Sequence, residues 1–119
     1  MYQRLTGIAL SALMAGAVAA GPAAAQDVKI GAAMPLTGDL ADFGESDAKG
    51  VELAVNEINA AGGVLGQDLG LSISDTRTSP QAGVDAAKKL TNVENVAGIV
   101  GALSSGVTIP IARSVSSQQ

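Results

Sequence analysis

Apolar and polar positions along the chain follow two different periods. Short apolar runs at 28–34, 69–75 and 96–103 are typical of buried strands. Apolar residues recur at helical spacing over 45–61, from 79–80 to about 92, and from 104 onward. Helices of about ten residues or more between short strands require parallel pairing, with right-handed crossovers. The pattern predicts an α/β fold, a Rossmann-like parallel three-layer sandwich in which strands and helices alternate.

Two further details of the sheet can be predicted. The third strand is apolar on both faces and contains Gly98 and Gly101, so we expect it to be central, with helices packed closely on its glycines. The first helix is predicted to begin near Glu45, after a loop at 35–44. Its predicted apolar face comprises Val51, Ala54, Val55, Ile58 and Ala61.

The first 25 residues have the pattern of a secretory signal peptide. Arg4 supplies a basic start, residues 5–20 are apolar and uncharged, and 23–25 fit a small-residue cleavage site before Gln26. A membrane anchor is the alternative, but the run is short for a span, contains two glycines and has no basic stop after it. We therefore expect a signal peptide at 1–25 and one domain at 26–119.

The composition excludes several chemistries for these residues. The chain has no histidine and no cysteine, so it cannot form a Ser-His-acid triad, a disulfide or a His/Cys metal cluster. No glycine-rich phosphate-binding motif is present, and the acidic residues at 39–47 lack the spacing of a calcium loop. The net charge of −4 is scattered, which disfavours nucleic acid and anionic membranes as partners. We expect no enzyme, metal or cofactor here.

Ligands of open α/β sheets bind beyond the carboxyl ends of the strands. Residues 35–44, 75–80 and 104–108 occupy that position in the predicted fold. Asp75 is expected to serve a turn or cap. Ser104 and Ser105 leave two interpretations open: one of them caps the last helix, or the free amides of the helix start bind an anion such as a carboxylate, with a serine hydroxyl as a further donor.

The chain resembles a known family over nearly all of residues 26–119. The matching features are the PLTG loop at 35–38, the Phe43-Gly44 pair, the helix end A-x-x-x-I-N-A-x-G-G at 54–63, and the segments SPQAGVDAAKKL and GIVGALSSGVTIPIA. In combination these resemble the N-terminal lobe of type I periplasmic branched-chain amino acid (Leu/Ile/Val) binding proteins. Those proteins are the solute-binding components of ABC importers.

The resemblance implies a function and a site. It implies a periplasmic, monomeric protein that binds branched-chain or similar small amino acids and delivers them to a membrane permease. The alternative is a sensor or receptor domain for amino acids, short amides or urea. Ser105 corresponds to the serine that binds the ligand's α-carboxylate, Phe43 to an aromatic that lines the pocket, and Leu103 and Ser104 flank the serine. Family members often carry Tyr at the position of Phe43.

The family is also much longer than this chain. The resemblance implies an N-terminal fragment that ends inside the helix after the third strand, without the next strand of the first lobe and its hydroxyl-bearing loop, the hinge or the second lobe. We therefore expect that the fragment alone binds no ligand tightly, because hinge closure requires both lobes. We also expect marginal stability, because strand edges and helix faces would be left uncovered.

Overall fold

A computed structural model describes residues 27–117 of the chain. Strands and helices alternate through this part, which confirms the predicted order. The predicted signal peptide at 1–25 lies outside the described residues. The strands are β1 (Lys29–Met34), β2 (Gly70–Asp75) and β3 (Gly98–Gly101), and the helices are α1 (Ala41–Ala60), α2 (Pro80–Asn92) and α3 (Ser105–Ser116).

The three strands form one parallel sheet in the order β2-β1-β3. The central strand is therefore β1, and the prediction that the third strand is central is wrong for the described residues. Ala32 and Ala33 of β1 are fully buried, whereas Val100 of β3 is 46% exposed. Apolar residues on both faces of a strand indicate that other elements cover both faces. They do not specify the position of the strand within the sheet.

Helices lie on both faces of the sheet, as the predicted three-layer arrangement requires. Ala33 of β1 belongs to an apolar cluster with α2 and α3, whose other buried members include Leu90, Val107 and Ile111. The neighbouring residues Ala32 and Met34 point to the opposite face and pack with Ala48 of α1. The alternation of side chains along β1 thus assigns α2 and α3 to one face and α1 to the other.

The start of α1 differs from the prediction. The helix begins at Ala41, four residues before Glu45, so that part of the predicted loop is helical. The backbone N–H of Leu40 donates to Thr78 Oγ1 at 3.3 Å, so a loop distant in sequence helps to set the start of the helix. Gly44 is buried in the first turn, where a Cβ would overlap the carbonyl oxygen of Pro35. The helical spacing gave no sign of these long-range contacts.

The apolar face of α1 is only partly buried. Val55 is buried and Val51 half-buried, but the other predicted members of that face, Ala54, Ile58 and Ala61, are exposed. No element covers this end of the face within residues 27–117.

Gly101 of β3 has a role other than the predicted one. Its φ of 128° is in the region that favours glycine, and a Cβ there would overlap the carbonyl oxygen of Ala33 on the neighbouring strand. Gly98 has only Ile30 Cδ1 within range, at 4.0 Å. Helices do not pack closely on these glycines as predicted; at Gly101 the close neighbour is the backbone of β1.

No helix within residues 27–117 is both long enough and apolar enough to cross a membrane.

Candidate functional site

The carboxyl ends of the three strands lie at one edge of the sheet. Met34 of β1 pairs in register with Asp75 of β2, and Ala33 of β1 pairs with Gly101 of β3. The loops that follow these residues therefore emerge side by side. This confirms that the three segments predicted to face a ligand share one edge, which we call the ligand edge.

Ser104 and Ser105 mark the start of α3 at the ligand edge. Ser104 has the extended backbone of an N-cap residue, but its side chain makes no capping hydrogen bond. Its carbonyl oxygen accepts the N–H groups of Val107 at 3.1 Å and Thr108 at 2.9 Å. The interpretation of a serine as N-cap is therefore correct in position but not in hydrogen bonding.

The first turn of α3 retains free donors. Ser105 is the first helical residue and is exposed, as is Gly106. Within residues 27–117 the backbone N–H groups of these two residues donate to no acceptor. Exposed amides at a helix start, together with the helix dipole, favour an anion such as a phosphate or a carboxylate. The first turn of α3 thus provides donors that could hold such a group.

Thr108 fixes the turn that precedes this helix start. Its hydroxyl accepts the N–H of Ala102 at 3.2 Å and donates to the carbonyl oxygen of Ser104 at 2.9 Å. This role of Thr108 was not predicted from the sequence. The only signal of this role in the sequence is a threonine four residues after the N-cap. A hydroxyl at that position can reach the carbonyl oxygen of the N-cap residue.

Leu103 connects the strand end to the serines and lines a large open groove. Its φ is 75°, an unfavourable value for a residue with a Cβ, and its side chain is 47% exposed. The groove encloses about 700 Å³ between α1 and the β1–β3 part of the sheet. Its lining is mainly apolar and includes Ile30, Val51, Ile58, Val100 and Leu103; we call it the α1 groove.

Phe43 lies in the first turn of α1, also at the ligand edge. Phe43 is 64% exposed. Contacts within the described residues therefore do not explain why an aromatic side chain stands at this position. Phe43, Ser104 and Ser105 do not line the α1 groove, whereas Leu103 does. The structure therefore places all four predicted site residues at one edge, and of these four Leu103 lines the α1 groove.

Asp75 joins the loops after β1 and β2. Its carboxylate accepts the N–H of Leu36 at 2.9 Å, the N–H of Thr37 at 3.2 Å and the hydroxyl of Thr37 at 2.6 Å. It also accepts the N–H of Arg77 at 2.8 Å, two residues ahead, which confirms the predicted turn role. Burial acts to raise the pKa of Asp75, but these hydrogen bonds outweigh it and hold the pKa below its usual value.

Within residues 27–117, no group of three or more acidic, histidine or cysteine side chains is placed to hold a metal ion.

A parallel sheet with helix starts and loops gathered at the carboxyl ends of its strands is the architecture of a Rossmann-like ligand-binding lobe. The sequence profile of the family described as "Periplasmic binding protein" matches residues 27–119. The chain belongs to this family.

Curated relatives and solved structures agree with this assignment. The chain is 45% identical over 106 residues to Leu/Ile/Val-binding protein homolog 7 of Brucella melitensis, with 89% of this chain and 25% of the relative covered. It is 38% identical over 102 residues to Leu/Ile/Val-binding protein BraC3 of Rhizobium johnstonii, covering 86% and 28%. The chain thus spans about a quarter of the length of the curated relatives it matches.

Among solved structures, the branched-chain amino acid transporter substrate binding protein LivJ of Streptococcus pneumoniae, in complex with isoleucine, superimposes with a TM-score of 0.74. It is 30% identical to this chain, and the match covers 77% of this chain and 26% of LivJ. Periplasmic binding protein type 1 of Bordetella pertussis superimposes with a TM-score of 0.70 at 30% identity, covering 76% and 25%. The predicted family and fold class are confirmed.

Proposed function

We propose that residues 26–119 form the first part of the N-terminal lobe of a two-lobed solute receptor that binds a branched-chain amino acid. The observation that carries the proposal is the exposed start of α3, where Ser105 and two unpaired amides stand at the ligand edge. The names of the relatives, which are Leu/Ile/Val-binding proteins, supply the ligand class.

The ligand's α-carboxylate is held by the N–H groups of Ser105 and Gly106 and by the Ser105 hydroxyl. These donors are neutral, so the carboxylate is bound without an ion pair from this lobe, which suits a receptor that must release its cargo. Leu103 and Phe43, both partly exposed at the ligand edge, contribute apolar surface to the pocket. Ser104 shapes the turn and flanks the ligand.

The receptor acts in the periplasm as a monomer and delivers its ligand to the permease of an ABC importer. The signal-peptide pattern at 1–25 supports export. The relatives and solved neighbours that carry transport names support import over a role as a sensor domain. Binding proteins of this kind position and release a ligand without chemical change.

A chimera tests this function. Residues 27–117 replace the matching segment of Leu/Ile/Val-binding protein homolog 7, which is 45% identical to this chain and supplies the remaining three quarters. Leucine, isoleucine and valine are titrated into the chimera and the unaltered relative by calorimetry. We expect the chimera to bind the same amino acids as the relative, within about ten-fold in affinity, or 1.4 kcal/mol. A folded chimera that binds none of the amino acids bound by the relative would contradict the proposal.

Residues 26–119 alone give a complementary test. Their open edge holds only part of a binding cavity, so we expect no heat of binding with any of the three amino acids up to millimolar concentrations. Micromolar binding by the isolated segment would show that a second lobe is unnecessary and would overturn the two-lobed proposal.

A further inference from the structure

Two side chains, one from the last residue of β2 and one from the loop after it, hold the loop after β1. The Asp75 carboxylate accepts the N–H groups of Leu36 and Thr37 together with the Thr37 hydroxyl. The Thr78 hydroxyl donates to the carbonyl oxygen of Thr37 at 3.1 Å and accepts the N–H of Leu40 at 3.3 Å. We call Asp75 and Thr78 the loop latch.

The backbone at Thr78 and at the residue before it is held in an unfavourable conformation. Arg77 and Thr78 have φ values of 53° and 54°, so two consecutive residues with a Cβ adopt the left-handed region. Such a conformation is unfavourable for residues with a Cβ and persists only where surrounding contacts require it. It turns the Thr78 hydroxyl toward the loop after β1, where both of its hydrogen bonds are made.

The two loops approach each other closely at the same place. A Cβ on Gly38 would stand 2.8 Å from the carbonyl oxygen of Arg77 and 2.9 Å from Thr78 Oγ1. Gly38 has a φ of 89°, and its carbonyl oxygen accepts the N–H of Ala41, the first residue of α1. The loop latch thus contacts the residues from which α1 starts, three residues before Phe43.

We propose that Asp75 and Thr78 are positioning residues of the ligand site: they set the start of α1 and thereby hold Phe43 at the ligand edge. The significance of this role for binding rests on the proposed function, but the positioning itself is a property of the ligand-free chain. The latch also explains why α1 starts four residues before its helical pattern predicts. Its contacts come from residues about 40 positions away in sequence.

A matched contact at the other end of α1 provides a control. The Asn59 amide donates to the carbonyl oxygen of Leu69 at 3.0 Å and accepts the Leu69 N–H at 2.7 Å. Like Thr78, it makes one donated and one accepted hydrogen bond to a neighbouring segment. It lies in the last turn of α1, away from the ligand edge, so its loss should weaken the fold without moving Phe43.

The position of Phe43 can be measured directly, because it is the only phenylalanine in the 119 residues. Incorporation of fluorophenylalanine into the 119-residue chain gives a single side-chain signal in fluorine NMR, recorded without ligand. The variants are Thr78→Val, Thr78→Ser, Asp75→Asn and the control Asn59→Ala. Amide hydrogen exchange at Leu36, Thr37 and Leu40 is followed in the same proteins.

We expect Thr78→Val and Asp75→Asn to shift or broaden the Phe43 signal and to speed exchange of the latched amides on the order of ten-fold. Thr78→Ser keeps the hydroxyl, so its Phe43 signal and its amide exchange rates should stay close to those of the parent. Asn59→Ala should lower the midpoint of urea unfolding yet leave the Phe43 signal in place.

The proposal is overturned if the latch variants lower the urea midpoint as Asn59→Ala does while the Phe43 signal stays unmoved. It is equally overturned if the parent chain shows no exchange protection at Leu36, Thr37 and Leu40. Neither readout involves an amino acid ligand, so failure of the latch is distinguishable from failure of the proposed function.

Discussion

The two faces of the sheet are held by different interactions. On the α2–α3 face, Ala87, Leu90 and Val107 are almost completely buried in one apolar cluster with Ala33 of β1. On the α1 face, the buried apolar cluster is limited to Ala32, Met34 and Ala48, and the α1 groove remains open beside it. Side-chain hydrogen bonds hold the two ends of α1 instead.

Within the described residues, the α2–α3 face has the larger buried apolar cluster, although a smaller groove of about 350 Å³ stays open between α3 and β3. By contrast, α1 is attached by the loop latch at its start and by Asn59 in its last turn. Hydrogen bonds contribute less to stability than apolar burial but fix direction more closely. Phe43 and Leu103 remain substantially exposed beside this face.

The largest expected loss of stability comes from truncating a side chain on the α2–α3 face rather than one on the α1 face. Leu90→Ala removes a side chain that is fully buried between α2 and the sheet, so we expect it to lower the free energy of unfolding by about 2–5 kcal/mol. Ile58→Ala, which truncates a side chain 39% exposed in the α1 groove, should cost about 1 kcal/mol or less. Urea unfolding measures both. Equal losses would mean that the faces are equally packed.

The next effect concerns the polar attachment of α1. Asn59→Ala removes both hydrogen bonds to Leu69, whose backbone groups are then left without these partners, and should cost about 1–3 kcal/mol. The matched control is Thr91→Val in α2, since the Thr91 hydroxyl donates mainly to carbonyls of its own helix. We expect Thr91→Val to change stability by no more than about 0.5 kcal/mol. A larger loss of stability for Thr91→Val than for Asn59→Ala would contradict the view that hydrogen bonds between segments hold α1.

The loop latch should give the α1 face an acid sensitivity. The pKa of Asp75 is lowered in the folded chain, so its stabilising contribution is complete well above the unfolded pKa of about 3.9 and is lost as pH falls through the folded value. Stability of the parent should therefore decline more steeply than that of Asp75→Asn as pH is lowered from about 5 toward 3. Parallel pH profiles from urea unfolding would show that Asp75 is not stabilised as a carboxylate.

The smallest expected effect is an increase in the free energy of unfolding, on substitution of Thr76. Thr76 is fully buried, and its hydroxyl has no hydrogen-bond partner within the described residues. Thr76→Val keeps the shape and removes the unpaired group, so it should raise the free energy of unfolding by up to about 1 kcal/mol. Thr76→Ser, which keeps the hydroxyl and loses the methyl, should lower it. A destabilising Thr76→Val would indicate a hydrogen bond to bound water.

The periodic pattern predicted the α/β order well because each element is encoded locally. Pro80 begins α2 as predicted, and Leu90 is buried as its helical spacing required. The start of α1 was missed because the hydrogen bond from Leu40 to Thr78 joins segments 38 residues apart. The place of β3 was missed because apolar residues on both faces describe what should cover a strand, not which strands lie beside it.

The candidate site was predictable only in part. The topology places Phe43, Leu103, Ser104 and Ser105 at one edge, and their choice came from resemblance to the family. The free amides of Ser105 and Gly106, the Thr108 contact and the loop latch depend on backbone directions that residue spacing does not specify. Hydrogen-bond geometry at loop ends is a tertiary property, so these features had to be read from the structure.

The most direct test of the central claim compares Ser105→Ala with its parent in the chimera. If Ser105 binds the ligand's carboxylate, isoleucine affinity should fall by about 1–3 kcal/mol, roughly 5- to 150-fold, with little change in urea unfolding. An isoleucine analogue whose carboxylate is replaced by an amide should lose far less on the same substitution. Unchanged isoleucine affinity together with reduced stability would contradict the carboxylate site and assign Ser105 to the structure of the helix start.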